Sequence, residues 1–508
     1  MNEEEYIELC ETCDHVLFLP NSTIERVGIP WLHVIREHPI FLSNYTELFA
    51  NLNGVNRVAV HFTRILKYIV SWIKHFIFTS RSSRLNFGGS DKIRKQTDIL
   101  FVSHILNSSQ AGKHEDFYFD LVPSELNSMG FTTAIALINH SQEPEMFIVD
   151  KWISSDVKRI VLSKSLGIMG DLKLFRRMLK ESVSLAKFSK MERPGLLKDV
   201  LRRASVEALS GSTRNSLRIH QQIANLCIQL KPKAIVVTHE GHAWERIAFA
   251  AARESSTFVK CIGYQHSTLF RLQHSIRRNL SGKFNPDIIM TSGLIAKCQL
   301  EKVSNLNGVQ LSILGSKRNF SRINTLKSSL KRVEGLEDIC LVLPEGELSE
   351  CNLLFEFSKA CALKCPSIQF VWRLHPLIDF EFIVRQNSKF KNLPPNITLS
   401  VSLLEDDISV SRWALYRGTT TIVQAVGNSV QPIYLQVPGE MTIDPLYEID
   451  DWKIKVKDVA DFEEAIKLKE GFSQQNSIIQ KESLMTYCES VFLKFNSDAI
   501  VSFLEMDT

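Results

Sequence analysis

The sequence predicts an α/β protein of two open lobes in tandem, each a parallel sheet wrapped in helices, behind an N-terminal helical extension. Three observations predict it. The chain has 508 residues, more than one ordinary domain of about 100–200 residues accommodates. From Asp98 onward, short apolar runs alternate with helix-period stretches, the pattern of repeated βαβ units. The alternation halts over the polar, basic segment 319–336 and then restarts, which puts a lobe boundary there. Composition agrees, since 44% hydrophobic and 23% charged residues exclude a disordered or fibrous chain. The 60 Lys+Arg against 56 Asp+Glu give a net charge of +4, too balanced for a nucleic-acid binder.

The N-terminus has no basic stretch followed by an apolar run, so no signal peptide is expected. The expected location is the cytoplasm, or the inner face of a membrane. The 10 cysteines include two close pairs, Cys10/Cys13 and Cys361/Cys365. Neither has a second pair at zinc-site spacing, so reduced thiols and no metal are expected. Segment 61–80 is apolar at Phe62, Ile65, Ile69, Ile73 and Phe76, with Lys67 and Lys74 on another side. Its three charges, Arg64 included, exclude a spanning helix, which needs about 20 mostly apolar residues. Two readings stay open: a helix packed on a domain, or one lying in a membrane plane with Trp72 and the lysines at the headgroups. Segment 80–96 reads as a linker.

Strands are then expected at 99–103, 133–138, 159–162, 234–238, 259–264, 288–291 and 311–314, with helices at 172–187, 217–230 and 243–253. After the boundary, strands are expected at 339–343, 368–374, 397–401, 414–416 and 432–436, with helices at 348–363, near 380–387 and from 420. The units are a helical extension 1–96, an acceptor-side lobe 97–325, a nucleotide-side lobe 326–480 and a terminal helix 481–508. Ligands of such folds sit beyond the carboxyl ends of strands, and two facing lobes leave a cleft between them.

The loop Thr238-His239-Glu240-Gly241-His242-Ala243-Trp244-Glu245-Arg246 directly follows a strand. Glu240 is the candidate general base, because a strand end holds a carboxylate rigidly at the cleft. His239, His242, Glu245 and Arg246 are candidate acceptor or sugar ligands; a helix cap and core filler is the structural alternative. Gln265 and His266 end the next strand and join the same set. Gly315 and Ser316, followed by Lys317 and Arg318, form a turn suited to phosphate or to a plain linker. In the C-terminal lobe Glu345, Arg373, His375 and Pro376 lie at strand ends and are candidate nucleotide or phosphate ligands, with His375 also a catalytic candidate that stabilises the leaving phosphate. Gly418, Thr419, Thr420 and Thr421 open a helix, whose free N–H groups and hydroxyls suit an anion but also serve as a cap. Glu405-Asp406-Asp407 reads as a solvated turn rather than a metal site.

The His375-Pro376 strand end, the Thr419–Thr421 helix start and Glu240-Gly241 together resemble GT-B-fold glycosyltransferases that use CMP-activated sugars: bacterial sialyltransferases, polysialyltransferases and capsule Kdo transferases. The resemblance departs at His239, where an acidic residue would stand, and covers about a dozen residues between Thr238 and Gln424. It implies two facing Rossmann-like lobes, His375, Pro376, Thr419 and Thr420 at the nucleotide phosphate, and Glu240 as base. It further implies inverting transfer of an acidic nonulosonic or Kdo-type sugar to a surface glycan or glycoconjugate, without a metal or other cofactor. A sugar-nucleotide epimerase or UDP-sugar transferase is the alternative enzyme, and a non-catalytic polysaccharide-assembly partner the alternative outside catalysis.

Overall fold

Uninterrupted apolar runs such as Ala234–Thr238 are strands buried on both faces, and they build two separate sheets. The computed structural model describes residues 1–19, 22–49, 54–81, 87–88, 96–141, 143–152, 156–306, 308–319, 338–375, 378–450, 452–467 and 474–506. The first sheet contains β1 (Phe87–Gly88), β2 (Ile99–Ile105), β3 (Thr133–Asn139), β4 (Lys158–Leu162), β5 (Ala234–Thr238), β6 (Lys260–Gln265), β7 (Ile288–Thr291) and β8 (Gln310–Ile313). Its order is β1-β4-β3-β2-β5-β6-β7-β8, parallel throughout except for β1 on β4. The second contains β9 (Asp338–Leu343), β10 (Ile368–Trp372), β11 (Ile397–Leu399), β12 (Trp413–Tyr416), β13 (Gln431–Leu435) and β14 (Ile454–Val456), in the parallel order β11-β10-β9-β12-β13-β14.

Both orders are doubly wound: each lobe adds strands to one side of its first parallel strand and then reverses to the other. The reversal falls between β2 and β5 in the N-terminal lobe and between β9 and β12 in the C-terminal lobe. Such switch points leave a crevice at the strand carboxyl ends. The two lobes meet at an interface, across which Gln299 donates to Glu448 at 2.8 Å.

The helices before β1 are not a separate appendage. Helix Glu3–Phe18 starts at an Asn2 capping box, and its Leu9, Cys13 and Val16 share one core with Leu174, Met178, Leu201, Leu217 and Ile247. Helices Gly167–Met191 and Leu196–Glu207 complete this layer; nothing in the strand–helix alternation predicted the latter. Helix Gly54–Arg81 packs on the layer by its polar side: His75 bonds Asp171 at 2.9 Å, Trp72 donates to Leu209 O, and Tyr68 donates to Glu207. Most of the expected linker 80–96 and of the boundary 319–336 lies outside the described residues. All ten cysteines are unpaired, nine of them buried.

The chain finally returns to where it began. Helix Gln474–Val491 packs on Thr421–Gly427 of the C-terminal lobe, and then Asp498–Glu505 buries Ile500 and Phe503 in the N-terminal lobe's core.

Candidate active site

β5 ends at Thr238, and the chain turns at Gly241 with φ +89°. A Cβ there would stand 2.3 Å from the Ser275 carbonyl carbon, so only glycine fits. Glu245 Oε2 accepts the N–H groups of Glu240, Gly241 and His242 at 2.9, 2.8 and 2.8 Å. That three-way bond fixes the loop and leaves Glu240 at the crevice, 22% exposed. Ser267 Oγ donates to Glu240 Oε1, and His242 Nε2 and His266 Nε2 lie 3.7 and 3.8 Å from its oxygens. Burial would raise the Glu240 carboxyl, but the His242 contact and the His266 charge outweigh it and hold it well below the usual carboxylate range. Burial likewise opposes the His242 imidazolium, yet the adjoining Glu240 raises it above an ordinary histidine. His266 is lowered, first by burial, and its ring meets Tyr118 edge-on at 4.6 Å. On β2, across the switch-point crevice, His104 bonds His140 at 2.8 Å and Thr238 at 3.3 Å.

Four expected ligands of this loop region are buried away from the cleft. His239 is fully buried beneath β6, with Gly263 leaving room for its ring. Glu245 is the backbone clamp just described. Arg246 is buried and donates to Asn285 Oδ1 at 2.8 Å, Ser275 O at 2.7 Å and Arg278 O at 2.9 Å. It staples the loop 275–285 rather than facing a sugar. Gln265 is buried and donates to Ser267 O. Gly315 and Ser316 depart from the phosphate expectation as well. The Ser316 N–H donates to Leu493 O at 2.7 Å, and a Cβ on Gly315 would lie 2.2 Å from Lys494 O. This turn receives the returning C-terminal segment.

In the C-terminal lobe the residues after β9 and β12 meet at the switch point. Gly418 lies against the Glu345 carboxylate, where a Cβ would stand 2.2 Å from Oε1, and Gly346 lies against the His375 ring. His375 is lowered, by burial first and then by the charge of Arg318. Arg373, expected at a phosphate, instead donates to Asp407 Oδ2 at 2.6 Å and to Ser402 O at 2.9 Å. Asp407 is thereby an ion-pair partner rather than part of a solvated turn. Thr420 Oγ1 accepts from Arg318 at 3.2 Å, and Thr419 Oγ1 lies 3.4 Å from the Thr421 N–H. Pro376 lies outside the described residues. A cavity of about 520 Å³ opens beyond β13, lined by Gln436, Glu440, Tyr447 and Lys453 of this lobe and by Glu3 and Arg271 of the other.

Two bridging groups were not singled out in the sequence. Arg318, noted only as a turn cation, lies within electrostatic reach of Tyr118 and His266 on one side and His375 on the other. Arg36 and His38 come from the N-terminal layer. The Arg36 charge reaches both His242 and Glu345, and His38 Nε2 contacts the Glu345 carboxylate at 3.3 Å. The available signal was Arg36-Glu37-His38-Pro39, a charged cluster closing an apolar stretch. His38, Glu345 and Glu350 also bring possible metal-ligand atoms within 4.8 Å of one another. Glu350 already accepts from the buried Arg417 at 2.6 Å, and the same guanidinium also donates to Glu440 at 2.5 Å.

No family model matches this sequence, and no curated protein matches it. Among solved structures, UDP-GlcNAc 2-epimerase from Neisseria meningitidis, bound to UDP-GlcNAc, is similar at 13% identity and TM-score 0.40, over 81% of this chain and 100% of its own. UDP-GlcNAc 2-epimerase from Methanocaldococcus jannaschii is similar at 12% identity and TM-score 0.43, over 80% and 99%. The glycosyltransferase SnogD from Streptomyces nogalater is similar at 12% identity and TM-score 0.42, over 81% and 100%.

Proposed function

We propose that this chain is a nucleotide-sugar enzyme that transfers a glycosyl group to an acceptor hydroxyl in the interlobe cleft, with Glu240 as general base. One observation carries the reading: the Arg318 charge reaches both His266, beside the Glu240 carboxylate at one switch point, and His375 at the other, where it also bonds Thr420. In the proposed step Glu240 takes the acceptor proton as the acceptor oxygen bonds the anomeric carbon. The bond from that carbon to the phosphate oxygen breaks, and the electron pair leaves with the nucleotide. Arg318 and the Thr420 hydroxyl meet the charge that develops on the phosphate. His242 and His266 keep Glu240 ionised, at the cost of a lower proton affinity.

The narrower expectation of a CMP donor rests on the His375-Pro376 strand end and the Thr419–Thr421 helix start, and neither reads the nucleotide base. The proposal therefore names a nucleotide sugar and leaves the base to a thermal-shift panel of CMP, CDP, UDP and GDP, since a ligand of the folded state raises the melting temperature. Sugar-nucleotide epimerisation is the second reading. It is favoured by carboxylates on both sides of the cleft, because the Arg36 charge reaches both the Glu240–His242 pair and Glu345, and epimerisation needs two acid–base groups. Product analysis of the stabilising nucleotide's sugars, with and without an added glycan acceptor, separates the two. Glu240→Gln should lower transfer about 100-fold or more while the protein stays folded and still binds the nucleotide. Near-normal transfer by that variant would remove Glu240 as base.

A further inference from the structure

Helix Gly54–Arg81 is oriented against the usual rule of burial. Its polar and aromatic side, Arg64, Tyr68, Trp72 and His75, is fixed on the protein by the partners Glu47, Glu207, Leu209 O and Asp171. Its opposite side exposes Phe62, Leu66, Ile69, Val70, Ile73 and Ile77 in one stripe at helical spacing. Isolated apolar residues at a surface need no explanation, but a contiguous stripe marks an interaction face. Lys67 and Lys74 are exposed along one border of it. The neighbouring helix Gly167–Met191, joined to it by the Trp72–Phe175 ring contact at 4.9 Å, exposes Lys173, Arg176, Lys180 and Lys187 together with Leu179 and Val183. The acidic residues of that helix, Asp171 and Glu181, are buried. Among the described side chains, neither helix exposes an acid.

We infer that this face seats the protein on an anionic lipid bilayer, with the stripe of helix Gly54–Arg81 in the headgroup–acyl boundary and the lysines and Arg176 at the phosphates. The charge pattern selects this occupant. An apolar stripe flanked only by cations complements an anionic surface, whereas two copies of the chain meeting here would bring like charges together. The helix lies in the membrane plane because its other side is held by the protein; no described helix is long and apolar enough to cross a membrane.

The test is co-sedimentation of the full-length protein with vesicles of phosphatidylcholine alone or containing about 30% phosphatidylglycerol, at low and high salt. The wild type should bind the anionic vesicles and be released by salt. Leu66→Gln/Ile73→Gln and Lys67→Glu/Lys74→Glu change only exposed side chains. Each should weaken partitioning roughly tenfold or more with an unchanged melt. Three results would overturn the inference. They are wild type left in the supernatant with anionic vesicles, binding insensitive to both double substitutions, or a dimer that Leu66→Gln/Ile73→Gln converts to a monomer without any vesicle binding. None of these readouts depends on the proposed transfer reaction.

Discussion

Replacing Asp14 with Asn removes the carboxylate that ties helix Glu3–Phe18 to the loop beneath the active site. Asp14 is 18% exposed, accepts from Arg278 through Oδ1, and lies 2.8 Å from His274 Nε2 through Oδ2. Burial opposes its ionisation, but the Arg278 charge and the His274 bond prevail and lower it to about 2, against 3.8 for an unperturbed Asp. At about 1.4 kcal/mol per tenfold change in proton affinity, the ionised carboxylate contributes about 2 kcal/mol of stability at neutral pH. Because the folded value is depressed, that contribution is complete above about pH 5 and is lost as pH falls toward the folded value; near pH 3 roughly half remains. Asp14→Asn also leaves the buried Arg278 without its charge partner, so the neutral-pH loss should be at least about 2 kcal/mol. Urea melts of both proteins at several pH values between about 7 and 3 measure the gap. It should be widest at neutral pH and narrow with acid. A gap that is absent at pH 7, or that stays constant down to pH 3, would refute the assignment.

Arg246→Met should lower the urea midpoint by an amount corresponding to about 3 kcal/mol, because three buried acceptors lose their donor; a sugar-binding role alone would leave the midpoint unchanged. Gly241→Ala forces a Cβ into the Ser275 carbonyl at a positive φ, and should destabilise by about 2–4 kcal/mol in the same melt. His38→Ala removes the contact to Glu345 across the lobes; small-angle scattering should report a larger mean radius for the free protein. In an NMR titration the His242 ring should ionise above an ordinary histidine in the wild type. It should fall in Glu240→Gln, where only the Glu245 charge still opposes burial.

The sheets were legible because their strands are buried on both faces: Ala234–Thr238 and Ile288–Thr291 carry the bounds that their apolar runs mark. Strand-end reasoning singled out Glu240, His375 and Glu345, which lie within three residues of the ends of β5, β10 and β9. The failures share one cause, side chains whose partners are remote in sequence. Arg26 pairs with Glu181 at 2.7 Å, a link of 155 residues that joins the first helices to the lobe. Arg373 and Asp407 are 34 positions apart, and His38 and Glu345 are 307 apart. Arg246 follows a strand as Glu240 does, and local sequence carries nothing that sends one inward and the other to the cleft. Helix Gly54–Arg81 was legible as amphipathic, but which face turns inward depended on Asp171 and Glu207, more than ninety residues away.

The return of Asp498–Glu505 to the N-terminal lobe sets the order in which the protein is completed. During synthesis the strands of that lobe emerge first, yet the site for Ile500 and Phe503 beside Phe101, Phe119 and Tyr264 stays open until the whole second lobe has been translated. The unfinished lobe therefore exposes an apolar gap on the ribosome for as long as the second lobe takes to make, a window in which a chaperone has a surface to hold. An N-terminal lobe excised before residue 338 would keep that gap permanently, and should be obtained in soluble form only when the 498–505 peptide is supplied with it.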